Sequence, residues 1–214
     1  GNPHHWLDPY NARIIASAIS PRLAMLDPSH ASAYAEGAAD FLKRIDVAMF
    51  GRELVERLGG ERLWALQVSG RLAEHLKEQD LGELVGGWYS RTLPLKDLEI
   101  ITYHRSWVYF TDRFGIVVVT ELEPKPGIPP SPGHLRHVVN LAQAQGVRLI
   151  LMEPYYSRKA AEFVADKIGA RVVEAANAVE GQPGVSDYIA LIDHIITKLL
   201  QANEQILRET KTRN

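Results

Sequence analysis

Leu98-Glu99-Ile100-Ile101-Thr102-Tyr103-His104 is a short β-branched run that ends on an imidazole, and three runs of the same kind follow it at 116–120, 147–152 and 171–173. Each is too short for a helix and rich in Val and Ile, so each predicts a strand. The segments between them carry helical spacing. Ser131, with Pro132 behind it, starts a stripe of Leu135, Val138, Val139 and Ala142 that Gly146 closes. Ser157 starts a second, with Phe163, Val164 and Ile168, that Gly169 closes. Serine before the first helical residue and glycine after the last are the expected end signals, because one accepts the orphan amide protons and the other turns the chain. A last helix begins near Ser186 and lines up Tyr188, Leu191, Ile192, Ile195 and Leu199, with a polar tail over 208–214 that is expected to fray. Strand and helix in alternation predict parallel βαβ units, hence an α/β fold.

Toward the amino terminus the pattern is helical. Ile15, Ile19, Leu23 and Leu26 form one apolar stripe, with Pro21 inside it as a predicted kink or break. Asp27-Pro28 reads as a helix start, and Tyr34, Ala38, Phe41, Ile45 and Ala48 continue the period toward Leu54 and Leu58, with Gly59-Gly60 as the stop. A helix over 28–60 would run roughly 40 Å at about 1.5 Å per residue, more than one small domain requires, so it is expected to connect two lobes. Residues 61–97 give no single reading: Gly82, Gly86, Gly87 and Pro94 punctuate them, and Leu72 and Leu76 are a short helical stripe.

Composition narrows the function. In 214 residues, 46% are hydrophobic and 23% charged, as in ordinary globular chains. Lys and Arg number 24 against 26 Asp and Glu, net −2, with no basic block to neutralise phosphates, so nucleic acid is not an expected partner. No run of about 18 apolar residues predicts a membrane-spanning helix. Cysteine is absent, which leaves His, Asp and Glu as the strong metal ligands and removes thiol nucleophiles. The opening Gly-Asn-Pro-His-His lacks a Met and reads as a fragment or processed chain.

Two histidine positions carry chemistry. His104 follows a strand directly, and the carboxyl ends of strands are where open α/β sheets bind ligands; the plainer alternative is a cap on the next helix. His4 and His5 stand in Pro3-His-His-Trp-Leu-Asp-Pro9, where adjacent side chains of an extended segment point apart, so one at most serves a given metal. Glu153 follows the strand at 147–152 and faces the same crevice, as a cation ligand or a helix-capping carboxylate. Glu121 and Glu123 flank another strand end and read as solvated. His30, His75, His134, His137 and His194 have no histidine four residues on and read as surface or packing residues. Gly-x-Ser-x-Gly, Gly-x-Gly-x-x-Gly and Walker-type loops are all missing.

Asn2-Pro-His-His-Trp-Leu-Asp-Pro9, Thr102-Tyr-His-Arg-Ser-Trp-Val-Tyr-Phe110, the proline-rich segment 123–134 and Glu153-Pro-Tyr-Tyr-Ser157 together resemble, in order and spacing, the zinc- and manganese-binding solute-binding proteins of bacterial metal ABC transporters. The likeness runs from Asn2 to about Asn203. It implies two α/β lobes joined by a long helix: here a remnant of the amino-terminal lobe at 1–27, the connecting helix at 28–60, a parallel-sheet carboxyl lobe at 61–207 and a tail at 208–214. It further implies metal ligands at His4 and His104, a ligand before the first residue of this chain, and a late Asp. Val172-Val-Glu-Ala-Ala-Asn177 offers Ala in the Asp position, so Glu174, Glu153 or a water is left to complete the site. The implied function is capture of Zn²⁺, with Mn²⁺ second, and delivery to a membrane permease from the periplasm or a lipid-anchored cell-surface position, without catalysis. Imidazole nitrogen suits zinc. An incomplete lobe exposes apolar surface that can drive dimerisation. The alternative of another class is a zinc-dependent hydrolase built on His4, His104 and Glu153.

Overall fold

The computed structural model describes residues 1–213. Its helices are α1 (Pro9–Leu26), α2 (Ala31–Phe50), α3 (Arg52–Leu58), α4 (Gly60–Val68), α5 (Leu72–Glu78), α6 (Gly87–Thr92), α7 (Val108–Phe114), α8 (Pro132–Gln145), α9 (Arg158–Ile168) and α10 (Tyr188–Arg213). Its strands are β1 (Glu99–Thr102), β2 (Val117–Glu121), β3 (Leu149–Met152) and β4 (Arg171–Glu174). The chain divides into two compact units. Among the described residues one holds 1–7 and 92–213, the other Asp8–Arg91; the expected boundaries stood at 27, 60 and 207.

The α/β unit is as the strand runs predict. Four parallel strands stand in the order β2-β1-β3-β4. On one face Ile101, Ile150 and Met152 pack with Val138 and Ala142 of α8 and with Ala161 and Val164 of α9. Ile100, Leu149 and Leu151 alternate with them, are equally buried and point to the other side, where α7 packs on β2 and α10 on β4. Both strand faces are therefore covered, which is why β3 reads as an unbroken apolar run. The chain moves outward from β1 to β2, then returns past β1 to lay down β3 and β4. The reversal places a crevice at the carboxyl ends of β1 and β3, the usual ligand position in such sheets. Ser131 and Ser157 cap α8 and α9 through their hydroxyls, accepting from the amides of His134 and Lys159. The expected fraying after residue 207 is not seen, since α10 continues to Arg213; Asn214, the end of that expected tail, lies outside the described residues.

In the helical unit two expectations are corrected. The helix predicted over 28–60 is three elements: a 3-10 turn at Pro28–His30, α2, and α3. Gly51 divides the last two. Its φ is +86° and a Cβ there would stand 2.8 Å from the Cα of Gly86, so the chain bends where two backbones touch. Pro21, by contrast, does not break α1. It removes one amide donor on an exposed turn, where water can take the carbonyl it leaves. The interior of the unit gathers Ile45, Met49, Phe50, Leu54, Leu63 and Trp64, with Phe50 and Trp64 edge to face at 4.9 Å. Buried among them, Asp46 receives the Trp64 indole N–H at 2.7 Å and the Arg13 guanidinium at 2.8 Å. Burial outweighs both partners and pushes the Asp46 carboxyl above its ordinary pKa.

Candidate metal centre

β1 is hydrogen-bonded to both neighbours up to its last residue, and the ladder continues one step further. The amide of Tyr103 donates to Leu151 (2.8 Å) and the amide of Glu123 donates to Tyr103 (2.9 Å). Register then decides the site. Thr102 lies opposite Glu121, so two residues on, Glu123 lies beside His104, and its Oε2 accepts the hydrogen bond of the His104 Nδ1. The other oxygen, Oε1, accepts from the amide of Gly127 at 2.8 Å.

His4 reaches the same place from far away in sequence. The first seven residues are fastened to the α/β unit by Leu7, which is wholly buried, by the Trp6 indole donating to the carbonyl of Asn177 (2.9 Å), and by the Tyr188 hydroxyl donating to the carbonyl of Trp6 (2.7 Å). Asn2 completes the arrangement. Its Nδ2 donates to the carbonyl of Arg105 (2.7 Å), which fixes the amide orientation and leaves Oδ1 to accept from the His4 backbone amide (3.0 Å) and from His4 Nδ1 (2.9 Å). The two imidazole centroids are 5.7 Å apart, ring edge toward ring face.

Each ring thus has Nδ1 engaged by an oxygen that can only accept. A neutral imidazole carrying its proton on Nδ1 keeps its lone pair on Nε2, the state in which it binds a metal. Burial, and next the neighbouring His104, hold the His4 imidazole below the ordinary histidine pKa, so His4 stays neutral and available to a cation in more acidic solution than a free imidazole would. Aromatic rings close the surroundings: Trp6 at 5.3 Å from His4, Tyr156 at 6.1 Å from His104, and Tyr103 stacked on Tyr156 at 4.3 Å. Burial, and then the Glu123 and Glu153 carboxylates, push the Tyr156 hydroxyl well above its usual range, so it stays protonated.

The other expected residues stand as follows. Glu153 is wholly buried at the end of β3. Burial holds its carboxyl above the ordinary value, opposed by the nearby Ser106 hydroxyl, by His104 and by Trp107, and neither of its oxygens closes a hydrogen bond of ordinary geometry. The helix after it is capped by Ser157, so the capping role is not Glu153's. Among the described residues no three His, Asp or Glu side chains assemble into a group that could hold a metal ion. Glu174 is turned to Arg158 (3.2 Å) and to the Gln182 amide (3.2 Å). Asn177, beyond the two alanines, donates its Nδ2 to the Tyr155 hydroxyl (2.9 Å). His5 is exposed. Glu123, expected to be solvated, is buried, because the loop after β2 folds back over it. Asn2 and Glu123 are the site residues that motif reading passes over. The signal for Asn2 is an amide side chain two residues before a histidine, the spacing of an Asx turn.

A family model described as zinc-uptake complex component A periplasmic, ZnuA, matches residues 1–49 and 79–202. The chain belongs to this family. Its similarity to the high-affinity zinc uptake system protein ZnuA of Brucella abortus is 26% identity over 168 residues, 78% of this chain and 40% of that protein. The iron-binding protein YfeA of Yersinia pestis is 25% identical over 198 residues, 90% of this chain and 52% of that one. Among solved structures, a crystal structure of ZnuA superposes with a TM-score of 0.65 at 25% identity, over 95% of this chain and 62% of the other. A Mn²⁺ complex of the binding protein FpvC from Pseudomonas aeruginosa shares the fold, with a TM-score of 0.66 at 21% identity. The chain therefore spans about half the length of the curated relatives it matches. The ZnuA-like family consists of metal-binding components of periplasmic uptake systems rather than enzymes, which overturns the hydrolase alternative. Among the described residues no helix is long and apolar enough to cross a membrane.

Proposed function

We propose that this ZnuA-family chain captures a divalent transition-metal ion, zinc in preference to manganese, through Nε2 of His4 and Nε2 of His104, and hands it to the permease of an ABC transporter. The observation that carries the reading is the convergence of two imidazoles, a hundred positions apart in sequence, each with its Nδ1 held by a hydrogen-bond acceptor. Two nitrogen donors favour zinc, because manganese is served by mixed or oxygen-rich sites and magnesium and calcium by oxygen alone. Glu153, buried at the end of β3, is kept as a candidate third donor. The remaining positions of a tetrahedral ion fall to other donors. Capture would take place in the periplasm, the compartment in the family's description, or at a lipid-tethered outer surface. Self-association through the exposed apolar side chains of α1, Ile14, Met25 and Leu26 among them, belongs to the same proposal and is read by sedimentation.

Calorimetric titration of the chain with Zn²⁺ at pH 7.5 tests it. A one-to-one isotherm is expected, abolished by His104→Ala and by His4→Ala, with Mn²⁺ displacing zinc only in large excess. Absence of zinc heat from the wild type, or an isotherm indifferent to both substitutions, would remove the assignment.

A further inference from the structure

Glu123 has two oxygens with two different clients. Oε2 accepts from the Nδ1 of His104 and Oε1 accepts from the backbone amide of Gly127. The carboxylate is buried, at 8% exposure, whereas the segment it holds, Pro124-Lys125-Pro126-Gly127-Ile128-Pro129, is exposed throughout. That segment is a rigid reverse turn. Lys125 and Ile128 pair across it, with the Ile128 amide donating to the Lys125 carbonyl (3.0 Å), and its prolines leave few amides to bond with anything else. One side-chain group therefore joins the imidazole on one side to a stiff surface turn on the other.

We propose that Glu123 is a positioning residue that acts in two directions. It holds His104 in the Nδ1–H form that presents Nε2, and it ties the turn at 124–129 to that ring, so that filling of the metal site is felt at the protein surface. The proposal deepens the metal-capture reading and rests on His104 being a ligand. A metal drawing electron density from Nε2 makes Nδ1–H a stronger donor, and the Glu123 oxygen responds by tightening on it. The second oxygen belongs to the same rigid carboxylate plane, so any movement toward His104 is transmitted to Gly127 and the turn. Outward-facing Ile128, half exposed on a polar and proline-rich turn, is the side chain such a movement displays.

The experiment uses Zn²⁺ alone as the probe and three readouts on wild type, Glu123→Gln and Glu123→Ala. Long-range proton–nitrogen NMR of the metal-free chain at pH 7.5 reads the His104 tautomer. The Nδ1–H form is expected in wild type and a mixture of tautomers in Glu123→Ala. Zinc affinity is expected to fall about 10- to 100-fold in both variants. Glutamine retains a single acceptor oxygen, so it can serve His104 or Gly127 but not both. Hydrogen exchange at the Gly127 amide is expected to slow on adding zinc in wild type and to be fast and zinc-independent in Glu123→Gln. An unchanged tautomer in folded Glu123→Ala overturns the positioning role, and equal Gly127 exchange with and without bound zinc overturns the link to the turn. Should the alanine variant not fold, the tautomer of Glu123→Val, which likewise lacks an acceptor, and the wild-type exchange decide the same two points. If wild type binds no zinc, the capture reading and the link to the turn fall together, while the tautomer measurement still decides whether Glu123 orients His104.

Discussion

Asn2 serves His4 as Glu123 serves His104, but through a neutral amide. Replacing it with alanine frees the His4 ring to flip or to carry its proton on Nε2, and also removes the bond to the carbonyl of Arg105. Zinc affinity of Asn2→Ala is expected to drop about tenfold, the lower end of what changes behind a metal ligand cost, with the melting temperature nearly unchanged; isothermal titration and scanning calorimetry measure the two. Asp46 is a different case, a residue of stability alone. Asp46→Ala takes the acceptor from the Trp64 indole and one of two carboxylates from the buried Arg13 guanidinium, which keeps Glu61 at 2.5 Å, and the loss is expected to cost about 2 kcal/mol, to be read from urea unfolding followed by tryptophan fluorescence. At this scale the sequence discloses the proposed ligands better than it discloses what orients them. His4 and His104 are visible because a histidine between prolines or at a strand end is unusual. Glu123 is not, since its burial depends on the loop after β2 folding back and on the parallel register that sets it beside His104, neither of which leaves a local mark.

Strands and helices are legible in the sequence where one physical signal acts alone. The runs that form β1 to β4 are short, β-branched and flanked by turn residues, and the serine and glycine ends of α8 and α9 fall where their spacing puts them. The bend at Gly51 is not legible, because the apolar period passes through it without a slip and only the meeting with Gly86 explains it. The stretch 61–97 withholds its helices for a related reason: α4, α5 and α6 are each too short to show a repeated stripe. Gly87 shows how tightly this part is closed. It has φ +60°, and a Cβ there would stand 2.3 Å from the carbonyl oxygen of Ala48 and 2.8 Å from the carbonyl carbon of Met49. Backbone cannot retreat as a side chain can. Gly87→Ala is expected to cost at least about 3 kcal/mol, enough to show as loss of soluble protein or as a strongly lowered denaturation midpoint, whereas Gly37→Ala, with open space around its Cβ, should be neutral or slightly stabilising on a mid-helix position.

For the molecule as a whole, acidity acts in two opposite directions. His4 and His194 are held below the ordinary histidine value of 6.5, both mainly by burial, so the unfolded chain takes up those protons first. The stability they lend is complete above about pH 6.5 and is lost as the pH falls from there toward their folded values. Asp46 and Glu153 are raised and act in reverse: what they lend is complete below their unfolded values and is lost as the pH rises through the folded ones. Between pH 7.5 and 5.5 the histidines set the downward slope. His194 is bonded to Gln182 (2.7 Å) and has Lys198 as its charged neighbour, apart from the proposed ligands His4 and His104, and His194→Gln is expected to flatten the fall in melting temperature across that range, as calorimetry at several pH values would record. A slope identical to wild type would place the acid sensitivity elsewhere.

The α/β unit is also discontinuous, since its first seven residues are separated from the rest by the whole helical excursion. Bringing those residues home is a costly closure for the chain, growing with the logarithm of the intervening length, and the fastening at Leu7, Trp6 and Tyr188 must bear it. An ion gripped by His4 and His104 would act as a reversible clasp over that closure, much as a crosslink does between distant positions. Its presence would then be felt chiefly in how slowly the amino-terminal segment peels away, and a protease able to cut only the detached segment would time that event.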